Sequence, residues 1–249
     1  DDIGWGFADE DAAELGINGF DHRYFLNLFY TGRFPGSFAS GVPFNYNPRT
    51  QDMRICGTLA SLAGLEKGLE SGDAAYISTA VQRILMIQSL TLCAGGIPLI
   101  YLGDEIGTIN DYSYTNNPTK KDDSRWVHRP AANAERYARR HDATTVEGQI
   151  FQTVKHLIEL RKSLPELANG NTRFINTGNR HVLGFTRHEA ILILANFSEF
   201  PQTTDKSTLR AEWPVVNRVV DLISGETFGA DDPIRLAAYQ FRWLKVKTM

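Results

Sequence analysis

Apolar positions change their period twice along the chain, which marks three stretches of different texture. In residues 1–70 they come in short bursts between Gly-, Asp- and Arg-rich segments, and this predicts short helices separated by loops. The run Asp9-Glu10-Asp11-Ala12-Ala13-Glu14-Leu15 gathers carboxylates where a helix N-terminus carries partial positive charge, so a helix starts there. Phe25, Leu26, Phe29 and Tyr30 recur at i, i+1, i+4, i+5. That spacing is one face of a helix from about His22 to Thr31, with Asp21 as its cap and Gly32 as its stop. Gly36 to Pro48 is rich in Gly, Pro, Asn and aromatic residues and reads as a shaped loop.

Residues 71–168 read helix, strand, long loop, helix. Ile77, Val81, Ile84, Leu85 and Ile87 make Ala74 to Leu92 a strong helix, stopped by Gly95-Gly96. Ile97 to Gly103 is wholly apolar, as expected of a strand buried on both faces of a parallel sheet, and Asp104-Glu105 follow at its C-terminal end. The polar stretch from Ile106 to about Thr144 is a long loop, and Val146 to Ser163 is an amphipathic helix stopped by Pro165. Helix, buried strand, loop and helix make one repeat of a β/α barrel, in which chemistry gathers in loops at strand C-termini.

Residues 169–249 alternate apolar and polar positions over short runs. The runs 172–175, 182–186, 190–197, 219–223 and 241–246 read as strands, with turns at Thr177-Gly178-Asn179 and Ser224-Gly225-Glu226. The expected fold class is therefore α/β plus all-β. It combines the C-terminal portion of a (β/α)8 TIM barrel, carrying a helical and loop insertion, with a following antiparallel β-sandwich domain. The expected divisions are 1–70 for the insertion, 71–168 for the last barrel repeat and 169–249 for the sandwich.

A net charge of -3 provides no broad basic field, which argues against nucleic acid as a partner. The longest apolar run, Ile97 to Leu102, falls short of the roughly 18 residues a membrane span needs, so no membrane partner is expected. Cys56 and Cys93 sit in apolar surroundings and read as two buried free thiols. The six histidines form no i, i+4 pair and have no Cys partner, so neither a metal nor another cofactor is expected. The compartment stays open between cytoplasmic and secreted. The chain starts at Asp1 with no initiator Met, and this reads as a piece beginning inside a structural unit.

Among the acidic clusters, Asp9-Glu10-Asp11 and Asp231-Asp232 read as caps or solvated surface. Asp122-Asp123 differs, because Ser124-Arg125-Trp126 follows at once. A carboxylate beside an arginine and an aromatic suits a sugar: the charged groups bond hydroxyls and the ring covers the apolar face of a pyranose.

The run Asp1-Asp2-Ile3-Gly4-Trp5 resembles the α-amylase superfamily segment that follows the seventh barrel strand. Gly32-Arg33-Phe34-Pro35-Gly36-Ser37-Phe38-Ala39 and Gly41-Val42-Pro43-Phe44-Asn45-Tyr46-Asn47-Pro48 are similar to amylosucrases in particular. So are Gly95 to Glu105 and Asp122 to Pro130, and Tyr239 to Leu244 looks like the last strand of that family's C-terminal β domain.

The resemblance implies a retaining α-glucosyltransferase that takes glucose from sucrose, extends an α-glucan acceptor and releases fructose. A sucrose or α-glucoside hydrolase with the same residues is the alternative, and a non-catalytic carbohydrate-binding fragment is a third. Retaining chemistry needs an attacking carboxylate and a proton donor about 5–5.5 Å apart. The resemblance puts both in a missing N-terminal barrel half, so the chain by itself is expected to be inactive. It matches Asp1 to a third carboxylate, the catalytic residue that holds the 2- and 3-hydroxyls, with a His expected just before it. It matches Asp2 and Arg54 to contacts on the fructosyl or acceptor side, and Arg23 to an outer acceptor contact. Asn45 stands where the family often has Gln. Arg125 matches an arginine that pairs with an upstream Asp to close the pocket floor, and Asp104-Glu105 match a loop-shaping pair beside the site.

Overall fold

The computed structural model describes residues 2–168 and 170–247, with Asp2 described by its backbone alone. The chain divides into two compact units, 1–81 with 102–139 and 82–101 with 140–249.

In the first unit, strand β1 (Asp2–Ile3) leads to helices α1 (Asp9–Glu14) and α2 (Gly19–Tyr30). The hairpin strands β2 (Val42–Asn47) and β3 (Asp52–Cys56) follow, then α3 (Leu59–Leu62), α4 (Leu65–Ser71) and the start of α5 (Ala74–Cys93). A short α6 (Ala134–Ala138) closes the long polar segment. The cap of α2 is Asn18, whose side chain accepts the Asp21 N–H, so the helix starts a turn earlier than the Asp21 reading. Part of the expected loop from Gly36 to Pro48 is β2, and β3 is a strand that periodicity did not single out.

The sheet order is β1-β3-β2, all antiparallel. Met53, Ile55 and Leu62 form its core, with Ile3, Trp5 and Tyr30 packed against them. Buried Asn27 ties the unit together: its Oδ1 accepts the Trp5 indole N–H at 2.7 Å and its Nδ2 donates to the Gln51 carbonyl at 3.1 Å. Gly41 permits a close approach, since a Cβ there would stand 2.4 Å from Ile55 Cγ2 and 2.5 Å from the Tyr30 carbonyl.

The second unit contains the rest of α5, then α7 (Val146–Ser163) and α8 (Pro165–Ala168). Pro165 ends one helix and opens the next, where its missing N–H costs nothing. The strands are β4 (Thr172–Phe174), β5 (Val182–Arg187), β6 (Ile191–Asn196), β7 (Gln202–Thr203), β8 (Arg218–Asp221), β9 (Thr227–Gly229), β10 (Arg235–Leu236) and β11 (Phe241–Val246). Helix α9 (Thr208–Glu212) lies between β7 and β8 in the chain.

Six strands form one antiparallel sheet in the order β4-β5-β6-β11-β8-β9, and β10-β7 make a separate ribbon. One face of the main sheet packs on this ribbon and α9 and the other on α5, α7 and α8, so no second full sheet of a sandwich faces it. Alternation along β6 sends Ile191 and Ile193 into a core with Leu92, Leu157, Leu167 and Trp243. Leu192 and Leu194 enter the opposite core, with Leu209, Trp213, Ile234 and Leu236.

The expected parallel strand 97–103 is not formed. The segment is irregular and open to solvent, with Ile97 99%, Leu99 79% and Leu102 73% exposed. A strand of a parallel sheet takes its hydrogen bonds from neighbours on either side. Among the described residues every pairing is antiparallel and none involves this segment. Cys56 and Cys93 are buried and free, and burial pushes the Cys93 thiol up to about 12. No helix among the described residues is long and apolar enough to cross a membrane.

Candidate functional site

The first unit gathers charged and aromatic side chains around the turn Ser124–His128. Asp123 caps this turn, its Oδ1 accepting the Arg125 N–H at 3.0 Å. The same carboxylate holds the Arg125 side chain, Nε to Oδ1 at 2.9 Å and Nη2 to Oδ2 at 2.8 Å. Arg125 and the hydrogen bonds it donates lower the Asp123 carboxyl to about 2. The guanidinium lies 4.8 Å from the centre of the Phe44 ring on β2, and Ser124 Oγ donates to the Pro43 carbonyl at 2.8 Å. Behind them Cys56, Tyr114 and Val127 are buried, with Val42, Phe44 and Trp126 packed against them. Lys120 Nζ stands 4.0 Å from the Trp126 ring centre. The result is a shelf of carboxylate, guanidinium and ring faces, with the Arg125 side chain 42% exposed.

A second constellation holds the segment that leads to this shelf. Glu66 on α4 is buried, and its carboxylate accepts the Ser61 hydroxyl at one oxygen and the Tyr112 hydroxyl at the other, the latter at 2.6 Å. Asn110 donates its N–H to Ser61 Oγ at 2.8 Å and accepts the Thr58 N–H at 2.8 Å. Its amide also donates to the Ser40 carbonyl and to Tyr112 Oη. Burial, and then the bond to Glu66, raise the Tyr112 hydroxyl above its ordinary value. Sequence reasoning missed this group. Its members are far apart in the chain, and Glu66 looks like an ordinary polar helix position.

Asp104 and Glu105 lie in a single helical turn between Gly103 and Gly107, both of positive φ. Glu105 accepts the Gly103 N–H at 2.7 Å and the Tyr137 hydroxyl at 2.8 Å. Half-buried Asp104 is raised to about 6, chiefly by removal of its carboxyl from water. Arg136 donates to the Gly107 carbonyl at 3.0 Å, so the pair sits in a closely held turn.

The remaining expected site residues are dispersed. Asp1 lies outside the described residues. Asp2 is in β1, opposite Cys56 of β3. Arg54 is on β3 opposite Phe44, exposed, with its stem beside Gly4. Asn45 is exposed at the register shift of β2, with φ +53°. That left-handed conformation is one Asn tolerates better than most residues with a Cβ. Arg23 is engaged within its own unit: Nη2 donates to Asp9 at 2.6 Å, and the guanidinium lies over Phe7. Phe44, under the Arg125 guanidinium, is the register partner of Arg54 and precedes Asn45 in β2, while Arg23 belongs to α2. Among the described residues no three His, Cys, Asp or Glu side chains are grouped to hold a metal ion.

No protein-family profile matches the sequence. Solved structures share its fold. An AmyP variant in complex with maltotriose matches 77% of this chain and 40% of its own, with TM-score 0.57 and 18% identity. AmyP in complex with maltose matches 68% of this chain and 35% of its own, with TM-score 0.54 and 19% identity. Ttha1563 from Thermus thermophilus matches 98% of this chain and 45% of its own, with TM-score 0.55 and 21% identity. The chain thus has a partial amylase-like fold and spans less than half the length of the structures it matches.

Proposed function

We propose that this chain is the C-terminal part of an α-amylase-superfamily enzyme that acts on α-glucosides. The single observation that carries the reading is the fold shared with AmyP, a protein solved with maltose and with maltotriose. The shelf of Asp123, Arg125 and Phe44 supports it, because paired charges beside a ring face are suited to hydroxyls and pyranose faces. Within that superfamily the sequence resemblance favours an amylosucrase: sucrose gives up its glucosyl unit to a carboxylate, fructose leaves, and an α-glucan hydroxyl takes the glucose.

In this reading the nucleophile and the acid/base stand in a barrel half outside this chain. Asp1 accepts hydrogen bonds from the 2- and 3-hydroxyls as positive charge grows on the sugar ring. Asp2 and Arg54 face the fructosyl or acceptor side. Arg125 closes the pocket floor, Arg23 makes an outer acceptor contact, and Asn45 is a substrate contact at the place where the family often has Gln.

Product analysis of the longer polypeptide tests this. With sucrose and glycogen, an amylosucrase releases fructose and lengthens glycogen. A hydrolase yields glucose and fructose in equal amounts, since water and sugar compete for the same covalent intermediate. Absence of fructose release would remove sucrose from the account.

A further inference from the structure

The β domain holds a cleft of about 440 Å³ that the catalytic reading does not use. Pro201, Phe228, Pro233 and Ala237 supply apolar walls, and Glu226, Arg235, Gln240 and Arg242 supply polar groups. The centre of this arrangement is Arg242 on β11, 6% exposed. Its Nη1 donates to Glu226 at 2.7 Å and to buried Asp221 at 3.1 Å, and its guanidinium lies 4.9 Å from the Phe228 ring centre. Asp221 in turn accepts the backbone N–H of Ile223 and the Ser224 hydroxyl, so the turn carrying Glu226 is fixed from beneath. Gln240 turns its Oε1 to the Ala237 N–H at 2.7 Å, which leaves its amide NH₂ for another acceptor. Arg235 is exposed on β10, and its backbone carbonyl accepts from Arg242 Nη2 at 3.4 Å.

Charge and shape together define the ligand. The lining carries Glu226, Arg235 and Arg242, and Asp221 beneath it, bonded to Arg242, supplies the second carboxylate, so the site as a whole is balanced and neither an anion nor a cation is strongly favoured. A guanidinium, an amide and a carboxylate around apolar walls suit a neutral ring that has hydroxyls on its edge and C–H groups on its faces. The volume falls within the range of about 300–1,000 Å³ common for small-molecule sites.

We propose that this cleft is a sugar-binding site, taking one pyranose unit of an α-glucan and performing no chemistry on it. Glu226 and Arg235 grip the hydroxyls, while Pro201, Phe228 and Pro233 cover the apolar face. Such a site would hold a glucan chain on the domain while other units of the chain react elsewhere. The proposal does not depend on sucrose being the donor, or on any turnover.

The test is a titration of the 249-residue chain with maltotriose, followed by amide NMR, with inorganic phosphate as a parallel probe. Saturable shifts at Glu226, Phe228, Arg235 and Gln240 with maltotriose and none with phosphate are expected. Arg235→Ala and Glu226→Gln should each weaken maltotriose binding about tenfold, the scale of one lost charge-assisted hydrogen bond. Arg235 is exposed and makes no side-chain bond among those described, so its variant leaves the fold intact; unchanged melting confirms this. Maltotriose binding that leaves these amides unmoved, equal affinity in both variants, or saturation by phosphate would each overturn the proposal. Loss of sucrose turnover in the longer polypeptide would bear on the catalytic reading alone.

Discussion

Arg125 grips the Asp123 carboxylate through two parallel bonds, Nε to Oδ1 and Nη2 to Oδ2, while its guanidinium rests over Phe44. The pair spans only two residues, so one turn sets both the charge and the ring beside it. Asp123 titrates near 2 rather than at its ordinary 3.8. A depressed carboxyl stabilises the fold above its unfolded pKa, and that contribution fades as pH falls from about 4 towards 2. The pair is partly exposed, so its effect on stability is small and the sharper reading is the titration itself. Carbon-detected NMR of the Asp123 carboxyl should give a midpoint near 2, moving towards 4 in Arg125→Ala.

Asp104 behaves in the opposite sense. Its pKa is raised to about 6, so the folded state binds the proton more tightly than the unfolded state. Stability therefore falls as pH rises from about 4 to 6 and stays lower above that. Asp104→Asn removes the ionised form. Melting curves should show the variant more stable than the parent at pH 8 and no more stable at pH 4.

Buried Glu66 accepts from the partly exposed Tyr112 hydroxyl at one carboxylate oxygen and from Ser61 at the other, so loss of Tyr112 leaves one oxygen of a buried carboxylate without its donor. Tyr112→Phe should cost about 1–3 kcal/mol, the penalty of an unsatisfied buried acceptor. Glu66→Ala also strands Ser61 and should cost at least as much. Urea titrations of the two single variants and the double variant check the coupling, which is expected to be strongly non-additive.

Trp243 makes the matching arrangement in the second unit, donating its indole N–H to Ser89 Oγ at 2.9 Å with both side chains fully buried. Ser89→Ala should destabilise by about 1–3 kcal/mol, whereas a change at exposed Ile87 on the same helix should be nearly silent. Thermal melts of the two variants compare them directly.

How much of this is legible in the sequence depends on whether the information is local. Both ends of helix α7 are legible, because Val146, Ile150, Val154, Leu157 and Ile158 mark one face and Pro165 marks the stop. The strands β5, β6 and β11 are equally plain from apolar runs bounded by turns. The start of α2 is not, since Asn18 and Asp21 are both capable caps and only the chain path chooses between them. The two-residue strands β7 and β10 carry too few positions to show a period. Ile97 to Leu102 has the composition of a strand, yet a strand exists only with a strand partner, and among the described residues no strand pairs with it. At the site, Asp123 and Arg125 are visible because they are neighbours. Glu66 is not, because its partners Ser61, Tyr112 and Asn110 are joined only through the fold.

The central claim is that the first carboxylate of this chain steadies charge on a glucosyl unit taken from sucrose. Fructose release by the longer polypeptide, compared with its Asp1→Asn variant under saturating sucrose, tests it most directly. The account predicts a fall in kcat of at least about 10²–10³-fold, the scale for removing one group that stabilises developing charge, with an unchanged melt. Near-normal turnover in Asp1→Asn would contradict it.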